Sequence, residues 1–161
     1  SLTRKTQTQS FIGFLHTIGR LIVNLNDCPV PIYGDLSFRG KCPTESVEQI
    51  TFFNRIRKVP VWGVIALHPR NEGKRHYKQV SREKAEGMTA GASDIIIPGC
   101  PAFVCELKRR DHKKSQWQDG QKEYLEAATK SGAFVCVALG ADAAMEAFEE
   151  WTGLQKIGNL R

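Results

Sequence analysis

No stretch of this 161-residue sequence is apolar for long enough to cross a membrane, and its start shows no secretory pattern with a cleavage site. The expectation is therefore a protein that works in the cytoplasm. Common enzyme signatures are missing too. The chain holds no GxxxxGK[S/T] phosphate loop, no GxGxxG turn, no HExxH zinc pair and no GxSxG nucleophile elbow. Those absences set aside nucleoside-triphosphate loops, dinucleotide enzymes, zinc peptidases and serine hydrolases. Cysteines 28, 42, 100, 105 and 136 are odd in number, with no CxxC pair and no histidine at zinc-ligand spacing. They read as reduced thiols, and Cys105 and Cys136 sit inside apolar runs as small buried hydrophobes. Internal repeats and low-complexity tracts are absent, and the length suits one domain with its own core.

What is present is basic charge. Lysine and arginine number 23 against 17 acids, a formal charge of +6. Lys74, Arg75, His76, Lys78, Arg82 and Lys84 make one cluster, and Lys108, Arg109, Arg110, His112, Lys113 and Lys114 make another. A basic run is ordinarily a solvated face. One that adjoins a carboxylate site would draw in a polyanion such as nucleic acid.

Apolar positions Phe11, Leu15, Ile18, Leu21, Ile22 and Leu25 share one helical face over residues 10–25, which would pack on the domain or on a second subunit. Residues 26–43, rich in proline and glycine, read as an irregular connector. Thr44 or Ser46 caps a helix reaching about Lys58, which Pro60 stops. Val61 to Leu67 reads as a strand, 68–75 as a loop, and 76–86 as a basic helix ending at Gly87. Asp94–Ile97 and the run from Phe103 flank the turn-forming Pro98-Gly99-Cys100-Pro101 and pair as a hairpin. Gln116–Ser131 is then helical, Ala133–Leu139 a buried strand and Asp142–Trp151 a last helix. A mixed sheet with helices on both sides would bury these elements.

Strand alternation turns Phe103, Cys105 and Leu107 to one face and Val104, Glu106 and Lys108 to the other. Asp94, at the mouth of the hairpin, can approach Glu106 across the strands. Two close carboxylates raise each other's pKa unless a cation lies between them, and a hard divalent ion suits oxygen ligands. The adjoining lysine suggests chemistry at that ion.

An Asp followed by Glu-x-Lys on a hairpin, in this order of elements, resembles the PD-(D/E)xK nuclease superfamily. Glu48 in the first long helix after the connector, "NEGKR" at 71–75, "GASDIIIPG" at 91–99, "ELK" at 106–108 and Gln121 before Gly132 narrow the resemblance to the virus-type replication-repair nuclease family, VRR-NUC, over residues 44–151. Two departures stand out. Ser93 replaces the proline that usually precedes the aspartate, and the stretch from Lys108 to Gln121 is slightly long.

The resemblance implies an α/β fold with a PD-(D/E)xK nuclease-like mixed central sheet flanked by helices. It divides the chain into an N-terminal helical extension, 1–43, and a nuclease domain, 44–161. It implies a Mg²⁺- or Mn²⁺-dependent endonuclease in which Asp94 and Glu106 hold the metal and Glu48 lies near the metal or a bound water. Lys108 would position the attacking water and steady charge on the phosphate, and Gln121 would orient a ligand or the phosphate. The expected DNA contacts are Asn71, Lys74, Arg75, Lys78, Arg82, Arg109, Arg110, Lys113 and Lys114. Small stand-alone members of phage or prophage type resemble junction resolvases, which implies a homodimer acting on branched DNA in a bacterial cytoplasm.

Plainer readings stand beside these. Glu106 and Lys108 would make an ordinary surface ion pair, Asp94 a turn cap, Gln121 an exposed helix residue, and Glu48 half of a pair with Arg55 or Lys58. His68 and His76 suit loop or DNA-contact roles, and Trp62, Trp117, Tyr124 and Trp151 suit core packing. A nuclease-fold protein that grips DNA without cutting it and a sequence-specific restriction-type endonuclease are the alternative functions. The second would need a sizeable recognition insertion.

Overall fold

The computed structural model describes residues 28–70 and 77–155. The apolar helix expected at 10–25 lies outside them. Strand β1 is Ile32–Tyr33, helix α1 is Glu45–Ile56, α2 is Trp62–Ile65 and α3 is Tyr77–Ala85. Strands β2, Ile95–Ile97, and β3, Phe103–Lys108, precede a 3₁₀ turn at His112–Lys114. Helix α4, Gln121–Lys130, strand β4, Phe134–Leu139, and helix α5, Ala141–Leu154, complete the order.

The four strands run β1-β4-β3-β2, so the sheet is mixed: β1 and β3 lie parallel to β4, and β2 lies antiparallel to β3. Helix α4 carries the chain from β3 to β4, the crossover that a parallel pair needs. Phe103, Cys105 and Leu107 of β3 and Cys136 and Ala138 of β4 pack beneath α1 and α5. Phe103, Phe148 and Trp151 are the aromatic centre of that side, with Trp62 against Trp151 at 4.8 Å between ring centroids. On the opposite face Val104, Val135, Val137 and Leu139 meet Leu125 of α4, with Cys28, Val30 and Ile32. Both faces of the sheet are therefore covered, and the alternation of β3 is as its sequence implies. The cysteines are free, with Cys28, Cys105 and Cys136 buried.

Three segments differ from their expected form. Residues 61–67 were expected as a strand, but Trp62–Ile65 is a single helical turn and only Leu67 bridges to Ile96 of β2. The apolar run suggests a strand; the surroundings decide otherwise. Gly63 lies so close to α1 that a Cβ would come within 2.4 Å of the Ile56 carbonyl oxygen, and Arg57 donates to the carbonyls of Gly63 and Ala66. The connector 26–43 contains β1, whose backbone extends the sheet beside Val137 and Ala138. Helix α4 starts at Gln121 rather than Gln116, because Gly120 adopts φ 84° and, before it, the Gln116 carbonyl and the Gln118 amide bond to Lys108 and Gln121. Among the described residues no helix is long and apolar enough to cross a membrane.

Candidate active site

The register Ile95↔Cys105 places Asp94, one residue before β2, beside Glu106. Asp94 Oδ2 accepts a hydrogen bond from the Leu107 amide at 2.9 Å, so the strand between the two expected catalytic positions holds the aspartate directly. His68 donates through Nδ1 to the Asp94 carbonyl at 2.7 Å, since a carbonyl oxygen can only accept. The loop before Asp94 is fixed by close approach. Gly91 has φ +75°, and a Cβ there would fall 2.1 Å from the Gly120 carbonyl carbon. Only glycine fits both constraints.

Glu106 and Lys108 are not a surface pair. They are 1% and 2% exposed, and Lys108 Nζ lies 3.1 Å from Glu106 Oε1. Lys108 also donates to the Gln116 carbonyl and to Gln121 Oε1, each at 3.0 Å. Gln121 Nε2 donates to Glu106 Oε1 at 2.6 Å while Gln121 Oε1 accepts from the Gln118 amide at 2.9 Å. The opposite amide orientation would aim donors at donors, so this network fixes it. Glu106 Oε1 is thereby committed to protein groups. Oε2, equally buried, has no partner.

Burial pushes the Glu106 carboxyl up to about 8, and the neighbouring Asp94 charge adds to the rise. The Lys108 ammonium pulls the other way without outweighing burial. Burial likewise raises Asp94 above its ordinary value, opposed by the Leu107 hydrogen bond and Lys108. Desolvation thus outweighs the one ammonium beside the two acids.

A cavity of about 390 Å³ opens over this pair, lined by Glu45, Gln49, Phe53, His68, Asp94, Glu106 and others. Glu45 contributes to the raised pKa of both Asp94 and Glu106, and Ser115 Oγ donates to its carboxylate. Glu48 is placed differently. It is 2% exposed, its Oε1 pairs with Arg110 Nε at 3.1 Å, and its Oε2 accepts from the Ala141 amide at the start of α5. Glu48 is absent from the cavity wall, so α1 presents Glu45 there instead. A second cavity, about 460 Å³, shares His68, Asp94 and Gln121 with the first and is bounded by Val80, Lys84 and Met88.

The expected DNA contacts scatter. Asn71, Lys74 and Arg75 lie outside the described residues. Lys78 is on α3, as is Arg82, which is exposed and paired with Glu86. Arg109 donates to the carbonyls of Cys42 and Pro43, and Lys114 to that of Gly40. The Asp111 carboxylate accepts from the Gly40 amide. This basic loop therefore fastens the segment before α1 to the end of β3. Arg110 is spent on Glu48 and Asp142, while Lys113 is exposed.

Among the described residues no three His, Cys, Asp or Glu side chains gather closely enough to hold a metal ion on their own. Asp94 and Glu106 nevertheless offer an all-oxygen pair, with Glu45 on the same cavity and Glu106 Oε2 unpartnered. That set fits a hard divalent ion held by one or two carboxylates and completed by water.

The mixed four-stranded sheet, with the β2–β3 hairpin that carries Asp94, Glu106 and Lys108 at one edge and helices on both faces, is a nuclease-like α/β fold. More narrowly, the fold is of the VRR-NUC type. A solved structure described as a VRR_NUC domain protein is similar to this chain with a TM-score of 0.58, covering 73% of this chain and 93% of its own at 22% identity. No family model and no curated protein matches the sequence.

Proposed function

We propose that the protein is a Mg²⁺- or Mn²⁺-dependent DNA endonuclease. The observation that carries this reading is the unpartnered Glu106 Oε2, buried beside Asp94 at the cavity, with Lys108 held on the same carboxylate's other oxygen. Asp94 and Glu106 would hold the ion, with Glu45 on the wall of the same cavity, where it would meet the ion's water shell. When bound, the metal supplies charge for the phosphate and acidifies an attacking water.

The protein's own groups do the remainder. Gln121 and Lys108 engage Glu106 Oε1, leaving Oε2 as the carboxylate oxygen without a protein partner. Lys108 sets a fixed positive charge beside the reacting phosphate, where a low-dielectric surrounding strengthens it. The VRR-NUC fold and the all-oxygen donor set support this reading over a zinc or nucleotide enzyme.

We further infer that the active form is a homodimer acting on four-way DNA. A four-way junction is nearly two-fold symmetric and its resolution needs paired nicks, whereas one chain carries one acid pair. The test is cleavage of linear, flapped and four-way DNA with Mg²⁺, Mn²⁺ or chelator, together with sedimentation of the protein. Lys108→Ala should abolish cutting while DNA binding persists through other basic residues. Cutting by Lys108→Ala at the wild-type rate would reject the site. A monomer that cuts linear duplex as fast as the junction would reject only the resolvase reading.

A further inference from the structure

The segment Ser115–Gly120 lies across the end of β3, and two of the three oxygens around Lys108 Nζ come from it or from the residue that follows it: the Gln116 carbonyl and Gln121 Oε1. Glu106 Oε1 is the third. Two of the ammonium's three N–H donors are thus taken by hydrogen bonds, and the ion pair with Glu106 completes its surroundings. The Trp117 ring stands over the same ammonium, with Nζ 5.0 Å from its centroid. Lys122 Nζ lies 5.4 Å from that ring as well.

Trp117 is held independently of the lysine. Its ring is half-buried against the core that contains Leu125 and Val104. The segment is fastened at both ends. Ser115 Oγ accepts from the Arg109 amide at 2.9 Å and donates to Glu45, and the Gln118 amide is bonded to Gln121. A ring anchored in this way can present a fixed face to a cation. A lysine otherwise has four rotatable stem bonds, whose freedom must be given up for the ammonium to stay in one place.

We infer that Trp117 is a positioning residue: its ring holds the Lys108 ammonium over Glu106 by cation–π attraction. The expectation from helical spacing was core packing, but Trp117 precedes α4 and divides its surface between core and cation. The inference rests on the proposed role of Lys108 in phosphodiester cleavage, and its test separates the two.

Single-turnover cleavage at saturating DNA, DNA affinity, and thermal unfolding without DNA or metal are measured for Trp117→Leu, Trp117→Phe, Lys108→Met and the Trp117→Leu/Lys108→Met double variant. Trp117→Leu should slow cleavage on the order of tenfold, the worth of a desolvated cation–π contact, with DNA affinity unchanged. Trp117→Phe, which keeps a π face, should recover most of that rate. If the ring merely packs, leucine and phenylalanine should serve equally. In unfolding, the double variant should lose less than the sum of the single losses, because either change alone already breaks the contact.

A wild-type rate for Trp117→Leu, equal losses in the leucine and phenylalanine variants, or additive unfolding losses would each overturn the inference. If Lys108→Met cuts normally, the nuclease mechanism fails instead, and the unfolding cycle alone decides the contact. Should Trp117→Leu not fold, Trp117→Met against Trp117→Tyr provides the same contrast.

Discussion

Replacing Glu106 by glutamine removes a charge that the fold holds at a cost. The substitution is isosteric: the amide oxygen can take the place of Oε1, accepting from Gln121 and Lys108, and the amide nitrogen can take the place of the unpartnered Oε2. In the folded metal-free protein the carboxyl is pushed up to about 8 from an ordinary 4.5. Because the folded state binds this proton more tightly than the unfolded chain, the associated stability is fully present below about 4.5 and is lost as pH rises through 8. At 1.36 kcal/mol per pH unit, the whole interval amounts to on the order of 5 kcal/mol. Asp94 is raised too and contributes with the same sign, but it is present in both proteins. Urea unfolding in chelator at pH 5, 6.5 and 8 should show wild-type stability falling with pH more steeply than that of Glu106→Gln. The variant should overtake the wild type toward pH 8. Parallel pH profiles would refute the argument, because Glu106 would then ionise in the fold as it does in the unfolded chain.

The same protein at pH 8 should gain thermal stability from millimolar Mg²⁺ or Mn²⁺, and Glu106→Gln should lose most of that gain; equal gains would remove Glu106 from the metal site. Glu45→Gln and Glu48→Gln should separate activity from stability. The first should slow cleavage with little loss of stability. The second should cost about 1–3 kcal/mol in unfolding by disturbing the half-buried pair with Arg110 and the buried bond from the α5 amide, and a reversed pattern would restore Glu48 to the site. Gly91→Ala combines a left-handed backbone with a 2.1 Å contact and should cost more than 2 kcal/mol or abolish folding; a variant unfolding within about 1 kcal/mol of wild type would mean that the Gly91–Gly120 crossing is looser than described.

The parts of the site carried by strand periodicity were legible in the sequence. Alternation in β3 sets Glu106 and Lys108 on one face, and the Pro-Gly-Cys-Pro turn brings Asp94 back beside them, because a hairpin's register follows from its turn. Glu48 of α1 lies off the cavity for a reason also written in the sequence. Glu48, Phe52 and Ile56 recur at helical spacing and are all buried, so the apolar row points Glu48 into the protein. Glu45, Gln49 and Phe53 form the next row and line the cavity. Thr44 as cap starts the helix there, which puts Glu45 in its first turn. The helical row that shares its face with the core is thus the row of Glu48, and the adjacent row carries Glu45 to the cavity.

The remaining differences depend on distant partners and have no local signature. Residues 116–120 were expected to open the helix, yet the Gln116 carbonyl serves Lys108 and the Gln118 amide serves Gln121. Residues 61–67 look like a strand until Arg57 and the close passage of Gly63 are supplied by tertiary structure. The second basic run looks like a DNA track, but Arg109 and Lys114 are directed to carbonyls of residues 40–43. That fastening has a mechanical consequence for the site. It ties the segment leading into α1 to the end of β3, so Glu45 at the first turn of α1 and Lys108 at the last position of β3 are held by one set of bonds. Carboxylates and lysine from three separate elements thus converge because a basic loop, rather than the sheet alone, closes the end at which they meet.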